Sequence, residues 1–175
     1  MKPIKRIGER RTRPLDLPQP DIDEQRPIRV QAVADALARF VNEYYPGVAE
    51  MTVSTDDDRL VLIGPDNLGY VVMTLIHIVH GKRKIHLTLD TDKDRILIKI
   101  QPRDLFSGDP CHEFDFVRVV KRAGLDIYED DEELVIFAKL TRQAVYHVYA
   151  VSVDEIYAAL VRNFKKFKDY FESST

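Results

Sequence analysis

A helix followed directly by two alternating strands, from Gly64 to Gln101, constrains the fold more than any other part of this sequence. Pro65 suits the first turn of a helix, where a missing N–H costs nothing, and Gly81 suits the position just past its end. Between them, apolar residues recur at steps of three and four, which predicts a helix with one buried face. These residues are Leu68, Val71, Val72, Leu75 and Val79.

The two strands after this helix each have one apolar face, because every second residue is aliphatic. Their inward residues are Ile85, Leu87 and Leu89 in the first strand and Ile96, Ile98 and Ile100 in the second. The polar link 90–94 is a turn. A helix and a hairpin with matched apolar faces form a core, and the rest of the chain is expected to add to it.

The remaining periodicities predict an α+β fold, a two-layer α/β sandwich with a mixed, mostly antiparallel sheet and helices on one face. The segment 102–113 is the one irregular stretch inside the predicted fold, and the acidic turn 55–58 is expected to join two strands as a hairpin tip. The expected helices lie at about 30–45, 65–80 and 114–123, and the expected strands near 51–54, 59–63, 85–89, 96–100, 125–128 and 134–140.

A chain of 175 residues corresponds to one domain with tails. Residues 1–27 carry five prolines among charges, so we interpret them as a basic, flexible arm; residues 1–14 alone have a local charge of +5. Residues 28–140 form the folded domain. Residues 141–175 form a C-terminal extension with a strand near 143–151 and a helix.

The C-terminal helix has the clearest start signal in the chain. Ser152 and Glu155 have the spacing of a capping box, and Val151 and Ile156 that of a hydrophobic staple. A long apolar stripe follows, which needs a partner: either the domain's own core or a second protein. The stripe consists of Ile156, Leu160, Phe164, Phe167 and Phe171.

The overall composition argues against nucleic acid and membranes as partners. The net charge is −3, no run approaches the roughly 18 apolar residues of a membrane helix, and the single Cys111 fits a reducing compartment. We therefore expect a cytoplasmic protein without a membrane partner. The basic arm leaves nucleic-acid binding open as an alternative.

Three groups of residues have the composition of reactive sites, but none has a complete pattern. Asp56, Asp57 and Asp58 lack the glycine and closing glutamate of an EF-hand loop, so a solvated turn is the better interpretation. His77 and His80, even with His86, do not establish a zinc site. Cys111 and His112 are adjacent and lack an orienting third group, so we expect no catalytic thiol.

The order of elements in residues 28–140 resembles the ATP-binding domain of histidine kinases, which has the GHKL or Bergerat fold shared with anti-sigma kinases, gyrase B and MutL. Residues 60–68 resemble the approach to the family's first conserved helix, 71–80 that helix, and 84–101 the hairpin after it. Residues 116–125 resemble the helix that follows the family's lid. The resemblance implies a histidine-kinase-like ATPase topology with a C-terminal strand and helix added.

The departures from the family pattern imply that the nucleotide site has been lost. Ile78 stands where the family has a magnesium-holding asparagine, and Pro102 stands in place of the adenine-reading aspartate, with Asp104 two positions late. Glu113 and Asp115 replace glycines at the start of a helix whose N–H groups would otherwise meet the phosphates.

The sequence therefore predicts a noncatalytic ATPase-like domain without a cofactor or metal, acting through contact with a protein partner or a second copy. The alternatives are a working ATP-binding or kinase domain with divergent motifs, and a nucleic-acid binder that uses the basic arm.

Overall fold

The computed structural model describes residues 26–79, 83–106, 110–130, 132–140 and 151–173. This part of the chain forms seven strands and four helices. In order they are β1 (Arg26–Arg29), α1 (Val30–Tyr44), β2 (Ala49–Val53), β3 (Leu60–Ile63), α2 (Pro65–Ile78), β4 (Ile85–Thr91), β5 (Arg95–Gln101), α3 (Pro110–Arg122), β6 (Asp126–Glu129), β7 (Leu134–Lys139) and α4 (Val153–Ser173).

The main sheet has five strands in the order β2-β4-β5-β7-β6, and only the β2–β4 pair is parallel. The predicted hairpins are confirmed, β4 with β5 and β6 with β7, and Leu87 lies opposite Ile100 in the first. Val33 of α1 and Leu68 of α2 surround the same small apolar cavity as Ile98 of β5. Helices therefore cover one face of a mostly antiparallel sheet, as the sequence predicts.

The predicted hairpin around residues 55–58 is wrong. Instead, β2 pairs with β4, whereas β3 pairs antiparallel with β1 in a separate two-stranded sheet. The connection is held by other parts of the chain: the Gln31 side chain donates to the carbonyls of Thr55 and Asp57, and Arg59 donates to the carbonyls of Asp92 and Lys93. These bonds hold the segment that connects the two sheets.

Two element boundaries differ from the sequence interpretation. Strand β1 starts at Arg26, two residues inside the segment interpreted as the arm, and α3 starts at Pro110, inside the segment interpreted as irregular. The rest of the arm, residues 1–25, lies outside the described residues. The strand predicted near 143–151 also lies outside them, except for Val151, which is not in a strand.

The C-terminal helix α4 packs on the outer side of α1 and α2. Its capping box is half confirmed: Ser152 Oγ accepts from the Glu155 N–H at 3.1 Å, while the Glu155 carboxylate pairs with Arg26 at 3.2 Å. The ring of Phe167 lies 5.5 Å from that of Tyr70 and 5.4 Å from that of His77. The stripe from Ile156 to Phe167 is thus part of the intramolecular core.

Gly69 sets how closely α4 can approach α2. A Cβ atom at this position would lie 2.5 Å from Leu160 Cδ2, which is shorter than a contact between carbon atoms allows. Helix α2 is therefore covered by the sheet on one side and by α4 on the other, and its residues from Leu68 to Ile76 are all buried. In the described part of the chain, no helix is long and apolar enough to cross a membrane.

One edge of the main sheet is protected by a side chain. The Asn42 amide of α1 accepts from the Met51 N–H at 3.2 Å and donates to the Met51 carbonyl at 3.4 Å. Since β2 is an end strand, these groups would otherwise be open to another strand.

Replacing Phe167 by Ala should lower the free energy of unfolding by about 3–5 kcal/mol, because it removes a fully buried ring between two helices. Urea denaturation measures the loss, with Phe114→Ala as the control, since that ring is exposed. Unchanged stability of the Phe167 variant, together with conversion of a dimer into a monomer, would show that the stripe binds a second chain instead.

Replacing Asn42 by Ala should cost about 1 kcal/mol of stability, because a hydrogen-bonded pair of backbone groups loses its partner. The same change opens the sheet edge, so we also expect faster aggregation, measured by light scattering as a function of concentration. Thr52→Ala on the same strand is the matched control. Equal aggregation of the two variants would contradict a protective role of Asn42.

Candidate functional site

The family resemblance points to one region: the end of α2, the exit of β5, the segment after it and the start of α3. Ile78 is the last residue of α2 and is 7% exposed, within the apolar core. Its side chain has no donor or acceptor atom, so it cannot coordinate a metal ion or accept a hydrogen bond.

The exit of β5 lacks a polar group directed at the core. Pro102 follows the strand directly and has neither an N–H nor a side-chain acceptor. The next carboxylate in the sequence, that of Asp104, lies at the surface and pairs with Arg83 Nη1 at 2.6 Å. Asp104 therefore serves a surface ion pair.

The residues that follow contribute apolar side chains to the interior. Leu105 and Phe106 are buried, at 7% and 8% exposure, and belong to the same hydrophobic core as the sheet. The Phe106 ring lies 5.6 Å from the ring of Phe116, which is fully buried in α3. This part of the segment thus packs against α3.

The start of α3 has acidic side chains. Because the helix begins at Pro110, its first position has no N–H, and Glu113 lies in the first turn at the surface. Asp115 lies in the second turn, 2% exposed, and pairs with Arg118 at 3.5 Å. The Nε atom of Arg118 is buried and has no hydrogen-bond partner among the described residues. The first turn of the helix thus lacks one N–H, at Pro110, and carries the carboxylate of Glu113.

Two of the three aspartates at 56–58, Asp57 and Asp58, are held by the protein's own arginines. Asp57 pairs with Arg59 at 2.7 Å, and the hydrogen bond from Arg59 holds the pKa of the Asp57 carboxyl below its usual value. Asp58 pairs with Arg29 at 3.7 Å and accepts from the Gln31 N–H at the start of α1. These contacts give the aspartates a structural role.

Of the histidine and cysteine candidates, His77 and Cys111 have the following surroundings in the structure. His77 Nε2 is hydrogen-bonded to the Tyr45 hydroxyl at 3.1 Å, and its ring stacks on Phe167. His80 lies outside the described residues. Cys111 is a partly exposed free thiol in the first turn of α3. Among the described residues, no group of three or more metal-ligating side chains is close enough to hold an ion.

The structure shows one polar depression that the sequence analysis missed. It lies where β4 begins and β5 ends and has a volume of about 610 Å³. The run Arg83-Lys84 was the available signal in the sequence, but only the pairing of His86 with Gln101 brings it close to Arg103. The lining residues are Arg83, Lys84, His86, Gln101, Pro102, Arg103 and Glu132.

No protein-family model and no curated protein matches this sequence. Solved structures that match include the histidine kinase domain of the E. coli osmosensor EnvZ, at 12% identity over 75% of this chain and 98% of that one, with a TM-score of 0.46. The ATP-binding domain of PrrB from Mycobacterium tuberculosis matches at 13% identity over 70% of this chain and 100% of that one, also at 0.46. The cytoplasmic segment of histidine kinase QseC matches at 9% identity, 81% and 92% coverage and 0.42.

Because these TM-scores lie below 0.5, we base the fold on the strand order and helix packing described above. The matched structures are those of the family that the order of elements in the sequence resembles. This chain is thus similar in structure to the ATP-binding domains of histidine kinases.

Proposed function

We propose that this protein is a noncatalytic relative of the histidine-kinase ATPase domain, which has lost its nucleotide site and acts by contact with another protein. The observation that carries the proposal is the burial of Leu105 and Phe106 in the core, with the Phe106 ring packed against that of Phe116. In the corresponding region of a nucleotide-binding domain, a ligand would need that volume. The proposal is supported by the membership of Leu105 and Phe106 in the hydrophobic core, since a ligand would have to displace them.

The polar groups that a nucleotide needs are replaced at both ends of the region. Ile78 has no ligand atom for magnesium, and Pro102 has no group to read the adenine amino group. The α3 terminus adds the carboxylates of Glu113 and Asp115 where a triphosphate would need positive charge. The loss of adenine recognition and the repulsion of phosphate should reinforce each other.

A protein-contact function is supported by an exposed ring beside this region. Phe114 on α3 is 65% exposed. Among the described residues, two other large hydrophobic side chains are exposed, Leu62 and Tyr128, and both are less exposed than Phe114. Aromatic side chains are enriched among the residues that dominate the binding energy of protein interfaces. By contrast, Ile156, Leu160 and Phe167 of the C-terminal stripe are buried inside the domain, so they offer no free surface. The side chain of Phe171 lies outside the described residues.

Adding 1 mM ATP with Mg²⁺ should leave the melting temperature of the full chain unchanged. A site with a dissociation constant of about 10 μM would add about 2.7 kcal/mol of stability at that concentration. For a chain of this size, such a gain corresponds to a rise of roughly 5–10 °C. Inorganic tripolyphosphate with Mg²⁺ is the control for binding of phosphate charge alone.

A saturable rise with ATP that tripolyphosphate does not produce, and that Phe106→Trp removes by further filling the region, would refute the loss of the nucleotide site. It would support a working ATP-binding domain instead.

A photo-crosslinking amino acid placed at position 114 should capture a protein in the cells that make this chain. The same amino acid at Lys165, on the exposed face of α4, is the control. A product twice the mass of the chain identifies a second copy as the partner. If position 114 yields no more product than position 165, Phe114 is not the contact.

A further inference from the structure

The last strand of the main sheet, β6, has one edge that no described strand covers. It is an end strand and, among the described strands, pairs only with β7. Ile127 is half-buried, whereas the other three residues of β6 are exposed. We propose that this edge binds a basic, extended segment of a partner protein, which adds to the sheet as a further strand.

The hairpin of β6 and β7 determines which backbone groups point to the uncovered edge. The Asp130 N–H donates to the Glu133 carbonyl at 3.1 Å, so these two residues form a hydrogen-bonded pair. In an antiparallel ladder such pairs recur at every second residue. Counting back from Asp130, the N–H and C=O groups of Ile127 and Glu129 therefore point away from β7, toward the edge.

The two ends of the sheet differ in how their backbone groups are protected. On β2, the Asn42 amide binds both the N–H and the carbonyl of Met51. Among the described residues, no side chain forms a hydrogen bond with the backbone of Ile127 or Glu129. A strand that binds at β6 therefore has no such bond to displace.

The chain at this edge is strongly acidic. Residues 126–133 contain six acids and no base: Asp126, Glu129, Asp130, Asp131, Glu132 and Glu133. Two of them form ion pairs, Asp126 with Lys121 at 2.7 Å and Glu129 with Arg103 at 3.7 Å. The other described acids of this run form no ion pair with a described residue. Negative charge therefore exceeds positive charge along β6 and its turn.

The remaining contacts of these acids do not neutralise them. Two backbone N–H groups of the turn donate to the Asp130 carboxylate at 2.9 Å and hold its pKa below the usual value, so it is ionised at neutral pH. The Gln101 amide, which is uncharged, donates to Glu133 at 3.5 Å. Lys99 acts on both acids electrostatically but is itself paired with Asp90 at 3.2 Å.

This charge determines which strand the edge accepts. If two copies of β6 paired antiparallel about Tyr128, Asp126 of each copy would lie opposite Asp130 of the other, and like charges placed directly opposite are destabilising. A strand that carries lysine or arginine is attracted instead. The half-buried side chain of Ile127 packs against the core and offers an apolar contact beside the acids. The expected partner segment thus alternates basic and apolar residues.

This surface consists of the backbone and carboxylates of β6 and its turn. It includes neither Phe114 nor the residues that replace the nucleotide-binding groups. The inference therefore goes beyond the proposed function and does not depend on it.

The test measures binding of a labelled synthetic peptide, in which lysine and arginine alternate with valine, to the full chain by fluorescence anisotropy. We expect saturable binding that weakens as salt is added, because exposed charges are screened. The same peptide with N-methylated valines keeps its charges but loses the N–H groups that pair with a strand edge. It should bind at least fivefold more weakly.

Two substitutions at one position separate the backbone from the charge. Glu129→Pro removes an N–H that points away from β7, and proline is tolerated at such a position of an edge strand. Glu129→Gln removes the same charge and keeps the N–H. The proline variant should bind the peptide at least fivefold more weakly than the glutamine variant, with circular dichroism confirming that both are folded.

A second pair of variants tests the charge alone. Glu132→Gln should weaken binding, whereas Asp56→Asn, which removes an exposed acid outside this edge, should leave the affinity unchanged. No saturable binding, equal binding of the N-methylated peptide, or an equal loss in the Asp56 and Glu132 variants would overturn the proposal.

Two further results would assign the edge to a different occupant and so also overturn the proposal. Tighter peptide binding after Arg10, Arg11 and Arg13 are all replaced by Gln would show that the basic residues of this chain already compete for the edge. A dimer that Glu129→Pro converts into a monomer, measured by analytical ultracentrifugation, would show that a second copy covers it.

Discussion

The burial of α2 on two sides is the constraint on which the rest of the structure depends. A helix that is apolar around its whole circumference cannot face water on any side, so it needs two covering layers. The sheet supplies one of them and α4 the other, and Gly69 permits the close approach of Leu160. The C-terminal helix is therefore part of the hydrophobic core of the domain.

The elements with strong local periodicity could be predicted from the sequence. The helix before the first hairpin, the hairpin itself and the capped C-terminal helix all follow from spacing and turn residues that act within one segment. The partner of each strand could not be predicted in the same way. Residues 51–53 and 60–63 are neighbours in sequence, but they lie in different sheets. The chain between them is held by Gln31, which donates to the Thr55 carbonyl, and by Arg59, which donates to the Lys93 carbonyl of the next turn.

The sequence shows directly which residues of the candidate site lack donor or acceptor atoms. It shows less well which residues of the site are buried. Ile78 and Pro102 stand out at once, because no conformation can give them the required donor or acceptor atoms. The burial of Leu105 and Phe106 had a signal, two large apolar residues inside a polar segment, but only the position of Phe116 shows what they pack against. The depression at the start of β4 had only a short signal, the run Arg83-Lys84, because strand pairing brings in the rest of its lining from other parts of the sequence.

Strand β1 gives the chain a mechanical weak point. It has four residues, pairs with β3 among the described strands, and is the first element that the structure describes. Short, terminal strands open at lower free energy than the strands in the middle of a sheet. A load applied to the N-terminal residues would therefore peel β1 from β3 first and expose Ile28 and Val61, while the five-stranded sheet stays intact. We therefore expect unfolding under load to begin at the pairing of β1 with β3.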